Sequence, residues 1–535
     1  MRHKRKFTVR KRPVFVFLFL CAGIAGLLTR LAYLQTGADT AILTGTDEKQ
    51  IEISVSRGYI YDCNMVPLVN AETRNVAAVL LNEQTRSFVA GLAPVGESSA
   101  PCVTVETEEP VTESPFCVNV TTVKRYTKET MCPHILGYTD AQNHGVCGVE
   151  KSYDNILWQA QGRIGVKYTA NVYGQPIAGE GLQVVDEGYN NAAGVVLTVD
   201  SRVQRIAEQA LRESEISRGA VVVLDVNTGE IRAVASAPAF DPLNISASLK
   251  DEALPFLNRA LSAYPVGSVF KPFVAAAALE KGIFPPEDYE CDGRITVGNN
   301  AFRCYQSTAH GMLDLPGAIC NSCNGYFISL GQTLGAQALT DICRKCGFGA
   351  ETRLTSDLIG AAGNLPSPEN IGAGELANLS FGQGALLATP LQMAAAFNTL
   401  AAGGVYRAPV LMKALVDEKK EVYARYKNET VYRALSERTC SIINDCLLRN
   451  VREGTGKNGG SELFFAAGKT ATAQTGKYDA EGAELLCTWF CGFFPYEAPA
   501  YTVVIFNERG QSASADCAPV FRAVSEKMYK AGLFS

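Results

Sequence analysis

Apolar residues follow different patterns along the chain, and each pattern predicts a different kind of structure. Residues 14–28 form an uninterrupted apolar run, which continues to Leu34 with only Thr29 and Arg30 inside it. About twenty such residues are enough for one helix to cross a bilayer. The run lacks a small-x-small cleavage site, so residues 13–34 predict an uncleaved membrane anchor rather than a signal peptide.

Between residues 35 and 199 the pattern changes to short alternating stretches, such as Val76 to Leu81, with many Thr and Glu residues. Alternation with a period of two is typical of strands that have one buried face. This region is therefore predicted to be an elongated, β-rich pedestal domain.

From residue 200 onward, predicted strands near both ends of the sequence enclose a helical middle. The strands are predicted at 219–224, 230–236, 464–474, 485–494 and 501–506, with Asn227-Thr-Gly229 as a hairpin turn. The helices are predicted at 200–211, 268–280, 324–346, 389–402 and 518–531. A sheet built from both ends, with helices inserted between its strands, predicts an α+β domain of residues 200–535.

The distribution of charge predicts how the chain is oriented in the membrane, and the net charge argues against one class of function. The first twelve residues hold seven Lys or Arg and no acidic residue. This basic tail, residues 1–12, is predicted to stay in the cytoplasm, with the rest of the chain beyond the membrane. The net charge of −5 over 535 residues argues against nucleic acid as the main partner.

One short segment carries the strongest chemical signal. Ser268 and Lys271 lie three residues apart, where the turn Tyr264-Pro-Val-Gly267 leads into an Ala-rich helix. Residues i and i+3 share a helix face, so we expect the lysine amine to reach the serine hydroxyl. Burial disfavours the charged ammonium, and a neutral amine can accept the serine proton. The pair is a candidate activated nucleophile.

Two further polar clusters follow in order. Ser322-Cys-Asn324 lies in a polar stretch about fifty residues later, and Lys469-Thr-Ala-Thr472 lies in a predicted strand nearly 150 residues after that. We expect Ser322 and Asn324 to line one cleft, because alternate residues of an extended loop point the same way. Each cluster alone is compatible with a turn or a strand end, but all three in this order indicate one active site.

The three clusters resemble the active-site signature of penicillin-binding proteins and serine β-lactamases. The likeness extends to further segments of the class B penicillin-binding proteins. These are Arg57-Gly-Tyr-Ile-Tyr-Asp62, His134-Ile-Leu-Gly-Tyr138, Gly148-Val-Glu-Lys-Ser-Tyr153, Asn258-Arg-Ala-Leu261, Phe381-Gly-Gln-Gly384, Thr389-Pro-Leu-Gln-Met393 and Glu453-Gly-Thr-Gly-Lys457. The resemblance runs from about residue 50 to the C-terminus. It implies a transpeptidase domain with an antiparallel sheet flanked by helices.

The resemblance also implies a peptidoglycan D,D-transpeptidase that needs no cofactor and no metal. Ser268 would attack the D-Ala-D-Ala end of a stem peptide, Lys271 would take its proton, and Ser322 would relay that proton to the leaving D-Ala. The backbone N–H groups of Ser268 and Thr472 would form the oxyanion hole. The side chains expected to bind substrate are Asn324, Lys469, Thr470 and Thr472.

The same resemblance implies the partners. The amine of a second stem peptide would attack the ester to form the cross-link, β-lactam antibiotics would mimic the donor peptide, and a polytopic membrane glycan polymerase would work beside the enzyme. Two alternatives stay open. A serine β-lactamase or β-lactam sensor shares the motifs. In a catalytically impaired cell-wall scaffold, Ala471 would be a sign of decay, although the intact Ser268 and Lys271 argue against it.

One position departs from the family pattern. The family has glycine at the third position of the last motif, where this chain has Ala471. Strand alternation points its methyl group to the Lys469 side, away from Thr470 and Thr472. We therefore expect carboxylate binding by the two threonines to survive, while packing beneath the strand shifts.

The 17 cysteines are scattered, and most lie in apolar contexts, so they are interpreted as small buried hydrophobic residues. Cys291 and Cys304 flank a hairpin-like stretch and are the favoured pair if any disulfide forms. Cys320-x-x-Cys323 and Cys343-x-x-Cys346 have the spacing of a zinc ribbon, but a metal there would fill the substrate cleft. No histidine lies near the motifs in sequence, which argues against histidine-based metal or triad chemistry.

Overall fold

The computed structural model describes residues 11–35, 47–95, 101–171, 175–177 and 180–535. Contacts divide the chain into two compact units. The first comprises residues 1–56, 73–123 and 162–189, and the second comprises residues 57–72, 124–161 and 190–535. Most of the predicted basic tail, residues 1–10, lies outside the described residues. The pedestal boundary at residue 199 stays a prediction, because a unit defined by contacts need not coincide with a folding domain.

A single helix, Lys11–Gln35, occupies the N-terminal part of the first unit. Its segment Arg12–Tyr33 is long and apolar enough to cross a membrane, and it is the one such helix among the described residues. Phe19 is 84% exposed and Leu27 is 72% exposed. Large apolar side chains exposed along a whole helix are typical of a lipid-facing segment. The helix fits the predicted single-pass anchor.

The rest of the first unit is mainly β-structure. Its strands form two three-stranded sheets, ordered Asp47–Ser56, Gly162–Ala170, Gln183–Glu187 and Cys102–Thr107, Glu72–Leu80, Cys117–Lys124. One short helix, Arg86–Val89, lies between strands. The apolar faces of the strands bury a common core that includes Ile51, Val76 and Ile164. The predicted β-rich character of this region is confirmed.

A five-stranded antiparallel sheet is the centre of the second unit. Its order is Ile231–Ala237, Gly219–Asp225, Tyr501–Gly510, Glu484–Phe494, Ala467–Tyr478. Helices Ser201–Glu213 and Ala513–Lys530 share a core with one face of the sheet. Helix Pro390–Ala401 is buried along its whole length and belongs to the core of the other face. The α+β fold with helices around an antiparallel sheet is confirmed.

The remaining elements of this unit surround that sheet. A four-stranded sheet has the order Tyr59–Tyr61, Gly194–Leu197, Met412–Val416, Val422–Arg425. Two-stranded pairs are Tyr264–Pro265 with Leu387–Ala388, Tyr289–Cys291 with Gly311–Leu313, Arg294–Val297 with Asn300–Arg303, Thr352–Arg353 with Ile359–Gly360, and Val405–Arg407 with Val431–Arg433. The other helices are Pro133–Leu136, Gly148–Ser152, Asp154–Gln159, Ile245–Ser248, Lys271–Glu280, Leu315–Cys320, Asn324–Leu334, Ala336–Lys345, Ala373–Ser380 and Glu437–Glu453. Short 3₁₀ turns are Arg259–Leu261, Gly267–Phe270, Tyr305–Ser307, Pro368–Asn370 and Lys457–Gly459.

Four predicted elements have wrong boundaries. The strand predicted at 501–506 continues to Gly510. The predicted helix 324–346 is two helices, because Gly335 between them adopts φ +83°, which ends the first helix. The strand predicted from residue 464 begins at Ala467 and continues to Tyr478. The final helix begins at Ala513, five residues before the predicted start at residue 518. It contains Pro519 in its interior.

A buried ionic network joins two of the segments that carried the family resemblance. Arg57 donates to Glu150 Oε2 at 2.9 Å and to Asp154 Oδ1 at 2.6 Å. The other oxygen of Glu150 lies 2.6 Å from Arg125 Nη2 and accepts from the Tyr126 hydroxyl at 2.8 Å. The Glu150 side chain is fully buried. Its carboxylate therefore compensates two arginines that have little access to water.

Replacing Glu150 with alanine should destabilise the chain by about 3 to 5 kcal/mol, because breaking a buried pair leaves an uncompensated charge inside the protein. Thermal unfolding followed by circular dichroism measures this loss as a lowered midpoint. Glu129 is exposed and lies shortly after Arg125 and Tyr126 in the chain. Glu129→Ala is therefore the matched control and should change stability little. Equal midpoints for the two variants would show that the network does not stabilise the fold.

Candidate active site

The segment containing Ser268 is a tight 3₁₀ turn, Gly267–Phe270, that leads directly into helix Lys271–Glu280. The backbone N–H of Lys271 donates to the carbonyl of Ser268. Gly267 adopts φ +69°, and its N–H donates to the carbonyl of Gly382 at 2.7 Å. A side chain at position 267 would meet Ala473 Cβ at 3.0 Å and Ala471 Cβ at 3.3 Å. Glycine therefore lets the half-buried Ser268 turn lie against strand Ala467–Tyr478.

Lys271 is the chemical centre of the site. Its side chain is fully buried, and the amine lies 5.8 Å from the centre of the Phe327 ring. Its Nζ atom lies 2.6 Å from the carbonyl oxygen of Ser322, 2.8 Å from Asn324 Oδ1 and 3.1 Å from Ser322 Oγ. Burial lowers the pKa of Lys271 to about 7. Near neutral pH a large fraction of this amine is uncharged.

Ser322 and Asn324 converge on Lys271, but by a different backbone geometry from the one expected. Ser322 adopts φ +53°, and Asn324 is the first residue of helix Asn324–Leu334, with Cys323 as its N-cap. The expectation of an extended loop is wrong. A left-handed serine followed directly by a helix start turns the Ser322 hydroxyl, the Ser322 carbonyl and the Asn324 amide toward one point. A non-glycine residue with positive φ is strained, and such strain concentrates at functional sites.

Lys469 approaches the same hydroxyl from the edge strand of the central sheet. Its Nζ atom lies 3.1 Å from Ser322 Oγ and donates to the carbonyl of Thr470 at 3.0 Å. The side chain is fully buried. Burial, and next the positive charge of Lys271, lower the pKa of Lys469 well below its usual range. Two amines on one hydroxyl oppose each other's protonation, so the charged state of one favours the neutral state of the other.

The hydrogen-bonding groups around Lys271 fit a neutral amine. A neutral amine has two N–H donors and one lone pair, and Lys271 faces two acceptor-only oxygens and one hydroxyl. The Ser322 hydroxyl can then donate its proton to Lys271 and accept one from Lys469. This arrangement can move a proton through Ser322. The Lys271 amine bonds to Ser322 and Asn324, and no hydrogen bond joins it to the Ser268 hydroxyl that sequence spacing led us to expect.

Thr455 belongs to the site, and sequence reasoning missed it. Its hydroxyl accepts from the Thr470 hydroxyl at 2.9 Å and lies 3.5 Å from Lys469 Nζ. It also donates to Asn450 Oδ1 at 3.1 Å, and Asn450 Nδ2 in turn donates to the carbonyl of Gly468. The signal was available, because Thr455 lies inside Glu453-Gly-Thr-Gly-Lys457, one of the segments that carry the family resemblance.

The two threonines of the last motif have different surroundings. Thr470 is buried and bonded to Thr455, whereas Thr472 is half-buried and its hydroxyl accepts from the backbone N–H of Ala513 at 3.3 Å. Ala513 is the first residue of the closing helix. Thr472 thus holds the end of the strand to the start of that helix.

Ala471→Gly should lower stability by about 1 to 2 kcal/mol, because it removes a methyl group that packs on Gly267 and adds backbone freedom inside a strand. We expect the acylation rate by a penicillin to change less than about threefold. Ala473 packs on the same glycine, so Ala473→Gly is the control and should lower the unfolding midpoint similarly. An increase of acylation by orders of magnitude in Ala471→Gly alone would mean that the alanine impairs the motif.

The comparison with known families assigns the fold and the site to one class. The family model described as the penicillin-binding protein transpeptidase domain matches residues 219–526, more than half of the 535 residues. This chain belongs to the class B penicillin-binding proteins. The resemblance found in the sequence is therefore confirmed, and the matched range contains all three motifs of this penicillin-binding protein.

Relatives of this penicillin-binding protein match it over most of their length. Stage V sporulation protein D of Bacillus subtilis is 28% identical over 93% of this chain and 81% of that protein. Peptidoglycan D,D-transpeptidase MrdA of Acinetobacter baumannii is 27% identical over 97% and 88%. A solved structure described as a peptidoglycan synthase complex that coordinates polymerization and crosslinking is 26% identical, with a TM-score of 0.70 over 98% of this chain and 99% of that chain.

Proposed function

We propose that this class B penicillin-binding protein is a peptidoglycan D,D-transpeptidase that forms an acyl-enzyme on Ser268. The observation that carries the proposal is the pair of buried amines, Lys271 and Lys469, on either side of the Ser322 hydroxyl at 3.1 Å each. Such a proton path beside a serine at a helix start fits acyl transfer through a serine ester. The names of the relatives support peptidoglycan as the substrate.

Each group in the site has a role in this proposal. The Ser268 hydroxyl attacks the carbonyl between the two terminal D-alanines, and its proton passes to the neutral Lys271 amine. The C–N bond of the donor breaks, and the proton returns through Ser322 to the leaving D-Ala amine. Asn324 holds the donor backbone. The resulting ester reacts with the amine of a second stem peptide.

The carboxylate of the donor is proposed to lie at the Lys469 strand. Lys469, Thr470 and Thr472 supply the positive charge and hydroxyls for it, and Thr455 holds the Thr470 hydroxyl in place. The backbone N–H groups of Ser268 and Thr472 are the proposed oxyanion hole. β-Lactams bind as mimics of this donor and remain as the stable ester.

Intact mass spectrometry after incubation with a penicillin tests the proposal and separates it from the alternatives. A one-to-one adduct that persists for hours on the full chain in detergent is the expected result. Rapid loss of the adduct with release of hydrolysed drug would instead indicate a β-lactamase. A chain that never forms an adduct would be an impaired scaffold. The test is completed by showing that the drug-free protein cross-links lipid-linked glycan strands.

The membrane arrangement is also a proposal. The anchor carries its basic residues on the N-terminal side, so we infer that the N-terminus lies in the cytoplasm and the catalytic unit outside. Protease added to intact protoplasts should digest the catalytic unit, and protection of that unit would contradict this orientation.

Because one structural relative belongs to a peptidoglycan synthase complex, we propose a polytopic glycan polymerase as partner.

A further inference from the structure

The cysteines near the second motif form no disulfide among the described residues. All 17 cysteines of the chain are described and are free thiols, and the sulfurs of Cys291 and Cys304, the favoured pair, are 3.8 Å apart. His310 Nδ1 lies 3.3 Å from Cys291 Sγ, and Cys323 Sγ lies 3.4 Å from the same sulfur. The expectation that no histidine lies near the motifs is therefore wrong in three dimensions.

A buried asparagine, Asn450, lies behind the strand that carries the third motif. It belongs to the last turn of helix Glu437–Glu453, and its side chain is fully buried. Its Nδ2 atom donates to the carbonyl of Gly468 at 2.8 Å, and its Oδ1 atom accepts from the Thr455 hydroxyl at 3.1 Å. Gly468 immediately precedes Lys469 on the edge strand of the central sheet. Both ends of the amide are therefore bonded, and they tie the helix end to that strand.

The carbonyl of Gly468 fixes the direction of the hydrogen bonds in this group. A carbonyl only accepts, so the Asn450 amide must point its nitrogen toward Gly468 and its oxygen toward Thr455. The Thr455 hydroxyl therefore donates its one proton to Asn450 and can only accept from the Thr470 hydroxyl, 2.9 Å away. Lys469 Nζ lies 3.5 Å from the same oxygen. Asn450 thus keeps Thr455 as an acceptor for two groups of the third motif.

Two glycines make room for the Asn450 amide. A Cβ atom added at Gly454 would lie 2.6 Å from Asn450 Oδ1, and one added at Gly456 would lie 2.7 Å from Asn450 Nδ2. Gly454 is extended, with φ −99° and ψ −156°, so its backbone conformation does not demand glycine, whereas the space around it does. The turn of residues 454–456 is therefore built around the Asn450 side chain.

The same turn is bonded to the segment of the second motif. The backbone N–H of Thr455 donates to the carbonyl of Cys320 at 3.1 Å. Cys320 ends helix Leu315–Cys320, two residues before Ser322. A Cβ atom added at Gly454 would also lie 2.9 Å from the Cys320 Cα atom, so the two backbones are in close contact. Thr455 therefore bonds to the second motif's segment through its N–H and to the third motif through its hydroxyl.

We propose that Asn450 is a positioning residue of this reaction, which acts through Thr455 to hold Lys469 at the Ser322 hydroxyl. This inference rests on the proposed function. The contact of 3.1 Å between Lys469 and Ser322 joins elements 147 positions apart, and the turn around Asn450 bonds to both of them. When a donor carboxylate takes the Thr470 proton, Thr455 keeps its own proton on Asn450 and can still accept from Lys469.

Loss of this positioning should slow the chemical step more than it weakens binding. Ser322 passes the proton to the leaving amine in the proposed reaction, and Lys469 contacts the same oxygen. A displacement of about 1 Å in such a site can cost about 10²-fold in rate. Lys271 bonds to Ser322 and Asn324 and not to this turn. The pH at which acylation is half-maximal should therefore stay where Lys271 sets it.

Acylation of the full chain in detergent by a fluorescent penicillin, followed over a range of drug concentrations, tests this role. Asn450→Leu fills a similar space but cannot bond to Gly468 or Thr455. We expect its maximal acylation rate to fall by about 10- to 100-fold, with the half-saturating drug concentration changed less than about threefold. The matched control is Asn444→Leu on the same helix, which loses a bond to the carbonyl of Leu400. It should lower the unfolding midpoint but acylate at the parental rate.

Further variants test the role even where Asn450→Leu folds poorly. Thr455 is exposed on its turn, so Thr455→Val should fold, and its maximal rate should fall by about tenfold. Thr455→Ser retains the hydroxyl and should recover most of that loss. Gly454→Ala pushes the turn away from Cys320 and should also slow acylation. Gly460→Ala is its control, because the added Cβ atom meets no atom closer than 3.3 Å.

Three results would overturn the role of Asn450. They are equal maximal rates in Asn450→Leu and Asn444→Leu, a loss confined to the half-saturating concentration, and a shifted pH midpoint, which would place the effect on Lys271. Failure of the proposed function is detected separately, in the parent protein. A persistent adduct in the parent, with normal acylation by Asn450→Leu and Thr455→Val, would overturn only the positioning role. A parent without any adduct would overturn the transpeptidase proposal, and this role with it.

Discussion

Incubation of the Ser268→Ala protein with a penicillin should leave the mass of the chain unchanged, whereas the parent chain gains one drug molecule. The alanine removes the only atom that the proposal makes a nucleophile. Lys271, Ser322 and Lys469 remain in place, but none of them forms a stable ester or amide with the drug in the proposed mechanism. Labelling by a fluorescent penicillin should fall by about 10³-fold or more.

The control for this experiment is Ser262→Ala. Ser262 precedes the turn, and its hydroxyl donates to the carbonyl of Asn258 at 2.9 Å, so its loss tests local packing without touching the motif. We expect normal adduct formation by the control and an unchanged unfolding midpoint for Ser268→Ala, since Ser268 is only half-buried. If the Ser268→Ala protein were labelled by penicillin as strongly as the parent chain, the proposed mechanism would be wrong.

The second large effect is expected for Lys271→Met. Methionine is unbranched like lysine and only one atom shorter, so most of the core stays filled while the base is lost. Acylation should slow by about 10²- to 10⁴-fold, the range that a positioned base contributes. The unfolding midpoint should change little, because removal of a poorly hydrated amine offsets the loss of its hydrogen bonds to Ser322 and Asn324. Lys281 is exposed just after the same helix, and Lys281→Met should acylate normally.

The pH dependence of the parent protein follows from the same amine. The base form of Lys271 is the neutral one, and its pKa is lowered to about 7 by burial, against which the thiols of Cys323 and Cys304 act in the raising direction. Acylation should therefore rise about tenfold per pH unit below pH 7 and level off above it. Lys271→Met should lose this dependence, and a flat profile in the parent would show that another group is the base.

The prediction of the fold succeeded where periodicity is strong. The continuous apolar runs of the central strands, the apolar face of helix Ser201–Glu213 and the apolar run of helix Pro390–Ala401 indicated the right elements within a few residues. It failed at Gly335, because a glycine inside an apolar helical pattern is compatible both with a continuous helix and with a break. Only the packing of the helices on either side of Gly335 decides between them.

The prediction of the site depended on residues that share one local element. Helix geometry led us to expect a contact between the Lys271 amine and the Ser268 hydroxyl, but the amine bonds to Ser322 and Asn324 and not to Ser268. Strand alternation placed Ala471 and Ala473 on one face, and both lie against Gly267. Thr455 was missed, because its contact with Thr470 joins an exposed turn to a strand fifteen residues later. The approach of His310 to Cys291, Cys304 and Cys323 was missed for the same reason, since these side chains come from separate hairpins and a helix start.

The sequence by itself determined the order of the motifs, the membrane anchor and the face of the strand on which Ala471 lies, because these depend on residue type and short-range geometry. Tertiary structure decided which groups meet. Lys271 and Ser322 are 51 positions apart, and Lys469 and Ser322 are 147 apart. The lowered pKa of Lys271 exists only because distant elements exclude water from it. The reactivity of the Lys271 amine therefore depends on its burial, and no short segment of the chain can bury it alone.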